Sequence, residues 1–233
     1  MVAPEYQSEQ SPFFTDAIAA FGPEGAQHLG FTIVHAFTEA QSRLPLLQPI
    51  RGFQLMVAET GSWVDEFADS ENGIVKLNFS PSSAKDIGAL CLETERLVEH
   101  GVAHVAHEQQ YPRFYEDSRP EHFLFAAAIR EGVAQYAEMS LFEPVDTSNY
   151  VLECPDEVAE SVVEVISTLL YEPPNNQVDL HYDFLFGNMD FPVDGYEVGR
   201  FIVSAMVNDH GLSLTELMKL PVREYKAFAE SEL

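Results

Sequence analysis

The chain is poor in basic residues, and this shortage excludes several classes of partner. Its 233 residues include 12 Lys and Arg against 38 Asp and Glu, which gives a net charge of −26. Proteins that bind nucleic acid need clustered Lys and Arg to contact phosphates, and anionic membrane surfaces attract the same cationic residues. We therefore predict that neither nucleic acid nor a membrane is a partner. The composition is typical of an acidic soluble protein, or of one adapted to high salt.

Cysteines and long apolar runs are also scarce. Cys91 and Cys154 are too few for a disulfide scaffold and are not spaced as in a zinc ribbon, so we expect both to be small buried hydrophobes. No apolar run reaches the length of about 18 residues that a membrane-spanning helix needs. The first residues lack the basic and apolar regions of a signal peptide. These absences predict a cytoplasmic protein.

Several common catalytic motifs are missing as well. The sequence has no Gly-rich phosphate-binding loop and no nucleophile elbow of the Gly-x-Ser-x-Gly type. Carboxylates are abundant, but no pair of them stands out as the acid and base of a glycosidase. The chemistry therefore has to be sought among the histidines.

The most informative stretch is a histidine-rich segment in the middle of the chain. His100, His104 and His107 are three of the chain's 8 histidines and fall close together. At about 100° per residue, they share one face of an α-helix with Tyr111. Apolar residues fill much of the remaining surface, so we predict a buried or half-buried helix. Buried neutral imidazoles are costly without polar partners, and a bound metal ion would be one such partner.

Hydrophobic periodicity and helix breakers predict a mostly helical α+β protein with a small sheet. Segments 53–57 and 73–79 alternate apolar residues with others, as strands do, and we expect a short antiparallel sheet beside the histidine helix. The longest helices are predicted at 13–21, 24–43, 86–110, 121–142 and 156–171. No linker is evident, so we predict one domain over 1–233, with N-terminal helices in 1–50, sheet and motif helices in 51–142, and a helical part in 143–233.

A His-Glu pair followed by a suitably placed carboxylate suggests a metal centre. Catalytic zinc takes three protein ligands and an open position for water, and the usual helical motif is His-Glu-x-x-His with the Glu as general base. The segment His107-Glu108-Gln-Gln-Tyr111 supplies the first His and the Glu, with Tyr111 in place of the second His. Glu131 lies 20 residues beyond Tyr111, a distance that a helix-loop-helix return can span.

From about Phe53 to the C-terminus, the sequence resembles the YjaZ-like predicted zinc-dependent proteases. The resemblance rests on strand 73–79, on the blocks Val105-Ala-His-Glu108 and Glu131-Gly-Val-Ala-Gln-Tyr136, and on a tail with Gly195-Tyr-Glu-Val-Gly199, Gly211-Leu-Ser and Leu220-Pro-Val. It implies a zincin-like fold of the gluzincin kind. In that arrangement His107 and Glu131 would be zinc ligands, and Glu108 would activate the bound water.

The family's second histidine aligns with Tyr111, so another imidazole is needed. Tyrosine is a poor zinc ligand at neutral pH because its pKa is about 10. His104 and His107 lie on one face and would bind one ion together with Glu131. We prefer this set, with zinc as the expected metal, because it keeps Glu108 next to a ligand. The alternative set pairs His100 with His104, four residues apart, but then Gly101 occupies the position of the base.

Other side chains are candidates for stabilising negative charge on a substrate oxygen. Tyr136 and Tyr196 would donate hydrogen bonds to it, as would His181 from an aromatic segment predicted to be irregular, 180–192. We select Glu108 and Tyr136 as the catalytic residues. The two tyrosines are more typical of core aromatics with satisfied hydroxyls.

A structural interpretation accounts for the same residues without a metal. It has the histidines bonded to Glu95, Glu99 or backbone carbonyls, Glu108 solvated, and Glu131 held by Arg113 or Arg130. The functional prediction is a zinc-dependent peptidase that hydrolyses peptide bonds through a metal-activated water. The alternative is a catalytically inactive protease-like protein that binds a peptide or protein partner. The sequence makes no prediction of oligomeric state.

Overall fold

The computed structural model describes residues 12–56, 65–69, 73–78, 81, 84–114, 120–142 and 156–232. Within these ranges the regular structure is helical apart from three short strands, which confirms the predicted mostly helical α+β class. The chain divides into two compact units, residues 1–109 and 110–233. The predicted single domain over 1–233 stays a prediction.

The first unit opens with a long helix that is broken where the sequence predicts a break. Helix α1 spans Pro12–Arg43, but Gly22 has φ 74° and ψ 173°, outside the helical region, and Pro23 follows it. Glycine reaches positive φ without steric cost, and proline cannot donate to the preceding turn. The predicted pair of helices is therefore confirmed. One face of α1 is buried and includes Phe13, Ala17, Leu29, Ile33 and Phe37.

The small sheet has three strands and a mixed topology. Strands β1 (Gly52–Met56), β2 (Asp65–Asp69) and β3 (Ile74–Asn78) lie in the order β1-β3-β2. β1 pairs with β3 in parallel and β2 pairs with β3 antiparallel. The predicted antiparallel pairing of β1 and β3 is therefore wrong. The pairing is parallel because β2 reverses the direction of the chain between β1 and β3. The sequence analysis did not predict β2, whose sequence is acidic.

The histidine helix follows the sheet within the first unit. Helix α2 spans Ile87–Gln110, close to the predicted 86–110. Asp86 caps its start, since its Oδ1 accepts a hydrogen bond from Ala89 N at 2.8 Å. Cys91 is a free, buried cysteine on this helix, as predicted, whereas Cys154 lies outside the described residues. The predicted position of the sheet beside α2 stays a prediction.

The regular structure of the second unit is helical in all of its described residues. A 3₁₀ turn, Pro120–His122, precedes helices α3 (Phe123–Phe142), α4 (Asp156–Tyr171), α5 (His181–Leu185), α6 (Gly195–His210), α7 (Leu214–Leu217) and α8 (Val222–Glu232). The helices predicted at 121–142 and 156–171 are confirmed. The aromatic segment predicted to be irregular contains the short helix α5. Among the described residues, no helix combines the length and apolar character that crossing a membrane requires.

Helices α3 and α6 cross at two glycines, which fix the position of α3. A Cβ atom added to Gly199 would lie 1.8 Å from the carbonyl oxygen of Ala128, and one added to Gly132 would lie 2.3 Å from the backbone of Gly199. Such distances are far inside van der Waals contact, so only glycine allows the backbones to approach this closely. Glu131, the candidate metal ligand, immediately precedes Gly132 and is therefore held on a firmly packed segment.

Candidate metal centre

His100 and His104 lie one helical turn apart in the interior of α2. Their rings meet edge to face, with centroids 4.7 Å apart and an interplanar angle of 80°. His100 is 9% exposed and His104 is 2% exposed. The spacing of four residues places both imidazoles on the same face. The helix thus presents two nearly buried imidazoles side by side.

Glu131 is a buried carboxylate on the third turn of α3. It is 5% exposed, and its Oε1 lies 3.3 Å from Nη1 of Arg130. A buried carboxylate needs a charged or hydrogen-bonding partner. The structural interpretation named Arg130 as such a partner, and the structure contains this ion pair. An ionised carboxylate has about four lone-pair sites, so it can accept bonds from several partners at once.

His100, His104 and Glu131 form one group with the composition of a metal site. Each offers one ligand atom, and the three atoms lie within 4.8 Å of one another. Ligand atoms about 2.0–2.2 Å from a tetrahedral zinc ion would be about 3.4 Å apart. The group therefore has the residue types of a site that could hold a metal ion. Two imidazoles and one carboxylate form an accepted donor set for catalytic zinc.

The preferred sequence-based set, His104, His107 and Glu131, overlaps this group in two members. His104 and Glu131 belong to it, but the second imidazole is that of His100. His107 is 2% exposed on α2 and is not part of the group that the described residues form. The group thus matches the alternative set that the four-residue spacing of His100 and His104 suggested. The preferred set and the metal assignment itself stay predictions.

The register of this group has a glycine where a zinc peptidase has its base. In His-Glu-x-x-His the glutamate directly follows the first histidine. Here Gly101 follows His100, and it is buried within α2. It has no side chain to take a proton. Glu108, the predicted base, is half-buried near the end of α2, and its assigned role stays a prediction.

Tyr136 lies on α3 five positions after Glu131 and is 7% exposed. Burial raises the pKa of its hydroxyl above the ordinary value, so the group is neutral and able to donate a hydrogen bond. Tyr196 is half-buried at the start of α6, where its ring lies 5.9 Å from that of Phe186. Both positions are compatible with packing and with hydrogen-bond donation.

His181 is the candidate whose surroundings are most informative. Burial lowers the pKa of its imidazole, while the charge of Glu131 raises it and that of Arg130 lowers it. His181 therefore lies within electrostatic range of the Glu131–Arg130 pair. Its Nε2 is buried and has no hydrogen-bond partner among the described residues. The sequence offered only an aromatic neighbourhood as a signal for this residue.

The chain matches a family model over most of its length. The family model described as "Predicted Zn-dependent protease (DUF2268)" matches residues 56–227. That range contains all three members of the histidine–glutamate group. The match is consistent with the YjaZ-like resemblance noted in the sequence. No curated protein and no solved structure matches the chain significantly.

Proposed function

The chain belongs to the predicted Zn-dependent protease family (DUF2268), and we propose that it is a zinc-binding, peptidase-like protein that binds peptides without the usual glutamate base. The observation that carries this proposal is the register of the histidine pair. His100 and His104 group with Glu131, and Gly101 stands between them at the position of the base. The proposal combines the zinc ion of the predicted peptidase with the peptide binding and catalytic inactivity of the alternative prediction.

The donor set supports zinc as the metal. Two imidazoles with one carboxylate suit zinc better than calcium or magnesium, which prefer oxygen ligands. His100, His104 and Glu131 would hold the ion, and burial of all three limits the access of water to the donors. Zinc bound by such a set supplies Lewis-acid chemistry, polarising a carbonyl group or a water molecule.

The side chains of the site would hold the metal ion, but none of them is placed as the base of the His-Glu-x-x-His motif. His100, His104 and Glu131 orient the metal, and Arg130 holds the Glu131 carboxylate through its 3.3 Å contact. Proton removal from an attacking water needs a base within hydrogen-bond reach. Gly101 supplies none. Polarisation and binding of a peptide carbonyl therefore remain possible for these residues, whereas efficient hydrolysis does not.

Metal content tests the proposal directly. We expect near-stoichiometric zinc in protein purified without chelator, measured by elemental mass spectrometry, and its loss in His104→Ala. His35→Ala is the matched control, because the His35 side chain is 71% exposed on α1, where its Nδ1 lies 3.7 Å from Glu39. Its zinc content should equal that of the natural protein.

Peptidase assays on the same samples decide the second half of the proposal. Zinc-loaded natural protein should bind peptides but cleave them no faster than the His104→Ala variant does. Absence of zinc after incubation with excess metal would overturn the proposed metal site. Cleavage that is lost in Glu108→Gln would overturn the assignment of a missing base and would favour the predicted peptidase with Glu108 as that base.

A further inference from the structure

An exposed aromatic surface lies on and around α5 in the second unit. Val178 is 65% exposed, Tyr182 49% and Phe186 52%. The rings of Tyr182 and Phe186 are stacked, with centroids 6.2 Å apart and planes 5° from parallel. Single exposed apolar side chains are common, but contiguous ones mark binding surfaces. We call these three residues, with Asp179 and Asp183, the α5 surface.

The α5 surface is held in place by packing beneath it. Gln177 is 5% exposed, and its Nε2 donates to the Glu121 carbonyl at 2.6 Å while its Oε1 accepts from Leu124 N at 3.0 Å. Both contacts fix the segment to the start of α3. A binding surface that is already ordered loses less entropy when a ligand arrives.

A row of rings joins the α5 surface to the rest of the unit. The centroid distances are 5.6 Å from Phe123 to His181, 5.2 Å from His181 to Tyr182, and 5.9 Å from Phe186 to Tyr196. His181 is also the residue that lies within electrostatic range of Glu131. Within the second unit, His181 therefore connects the α5 surface with Glu131, a proposed metal ligand.

The charge around the α5 surface has one sign. No Lys or Arg occurs between Arg130 and Arg200, a span in which acidic residues recur. Asp179 and Asp183 are exposed on either side of Tyr182, and Asp190 is exposed farther along. Stacked aromatic faces with carboxylates beside them suit a cation, which gains from the ring faces and from the negative charges together.

We propose that the α5 surface binds a peptide segment in which an Arg or Lys lies next to an apolar side chain. The cation would stack on Tyr182 and pair with Asp179 or Asp183, and the apolar side chain would cover Phe186 and Val178. This inference rests on the proposed function as a peptide-binding protein and specifies its ligand. A second copy of the chain is a poor occupant, because two surfaces of like charge repel one another.

The test uses fluorescence anisotropy with the full chain and labelled probe peptides. A peptide of repeated Gly-Arg-Leu units should bind, and peptides of repeated Gly-Glu-Leu or Gly-Arg-Gly units should bind at least about tenfold more weakly. Binding should weaken as salt is raised, because the carboxylates of the surface are exposed. Equal affinity for the three peptides would overturn the proposal.

Matched variants locate the binding. Tyr182→Ala should weaken binding of the Gly-Arg-Leu peptide by about fivefold or more, whereas Tyr171→Ala should not, since Tyr171 is a 59% exposed tyrosine at the end of α4. Asp183→Asn should reduce the salt dependence, and Asp209→Asn, at an exposed site on α6, should leave it unchanged. Equal losses in the variants and their controls would overturn the proposal.

Two further measurements keep this inference separate from the proposed metal site. Zinc is measured on every sample, so zinc without Tyr182-dependent peptide binding would overturn the α5 surface and leave the metal centre standing. Tyr182-dependent peptide binding by protein that takes up no zinc from excess metal would support the α5 surface and overturn the metal centre. Light scattering provides the other check: a dimer that Tyr182→Ala dissociates would identify a second copy as the occupant and overturn the proposal.

Discussion

The sequence of α2 and its end contains two incomplete versions of the His-Glu-x-x-His motif, and each version lacks a different residue. The upstream register, His100-Gly101-Val-Ala-His104, has both imidazoles but no glutamate. The downstream register, His107-Glu108-Gln-Gln-Tyr111, has the glutamate but only one imidazole. In the structure, the upstream pair groups with Glu131. The comparison separates two requirements of a zinc peptidase, which are the placement of the ligands and the presence of a base.

The two registers lie at different places along α2. His100 and His104 lie well inside the helix, where side chains four positions apart share one face. The downstream register runs to the end of the helix, since α2 ends at Gln110 and Pro112 follows Tyr111.

Repairing each register separately should give the largest and most unequal effects. Gly101→Glu adds a carboxylate directly after His100, where it can accept the proton of an attacking water. With zinc bound, we expect peptide hydrolysis to rise by about 100-fold or more over the natural protein. Tyr111→His should leave hydrolysis unchanged, because His107 lies outside the group that His100 and His104 form with Glu131. A fluorogenic peptide assay measures both.

Controls separate chemistry from folding in this comparison. Gly101→Gln has the size of the glutamate without its charge, so it should fold as Gly101→Glu does and stay inactive. Circular dichroism on both variants checks the fold of the buried helix. Activity appearing with Tyr111→His and not with Gly101→Glu would reverse the assignment and place the metal at the downstream register.

Removing one imidazole from each register should give the next largest effect. His100→Ala should weaken zinc binding by about 100-fold or more, because a ligand that holds the ion is lost. His107→Ala should change the zinc affinity by less than about threefold. Competition with a zinc-sensitive chelating dye measures both affinities. A large loss with His107→Ala and little change with His100→Ala would support the site of His104, His107 and Glu131 that was preferred from the sequence.

Much of the fold follows from the sequence because local rules act on it directly. Backbone preferences account for the break at Gly22-Pro23 and for the ends of α2. Apolar alternation accounts for the strand around Val75 and Leu77. The strand β2 escaped prediction because its apolar residues are too few to alternate. Its omission changed the predicted pairing of β1 and β3, since strand direction depends on how many reversals lie between two strands.

The candidate site was less accessible to sequence reasoning, for a physical reason. His100, His104 and His107 share one helix face, so spacing alone allows more than one pair. Which pair groups with Glu131 depends on tertiary packing, which no local pattern contains. The preference for His107 came from keeping Glu108 beside a ligand, an argument about chemistry. The His100–His104 spacing was the available structural signal, and the grouping with Glu131 agrees with it.

The smallest expected effect tests whether the downstream register has a structural task. The side chain of Gln109 accepts hydrogen bonds from the backbone N–H groups of Leu47 and Gln48 at 2.9 and 3.0 Å and donates to the Gln48 carbonyl at 3.1 Å. Gln109→Ala removes all three, so we expect a loss of about 1–2 kcal/mol in the free energy of unfolding, measured in urea. Zinc affinity should not change.

Gln27→Ala is the matched control for this prediction, because Gln27 is exposed on α1. It should alter stability by less than about 0.5 kcal/mol. A Gln109→Ala variant as stable as the natural protein would show that these three bonds contribute nothing net. A variant of normal stability with weakened zinc binding would connect the downstream register to the metal after all. Loss of stability alone would mean that one end of α2 anchors the chain while its interior supplies the ligands.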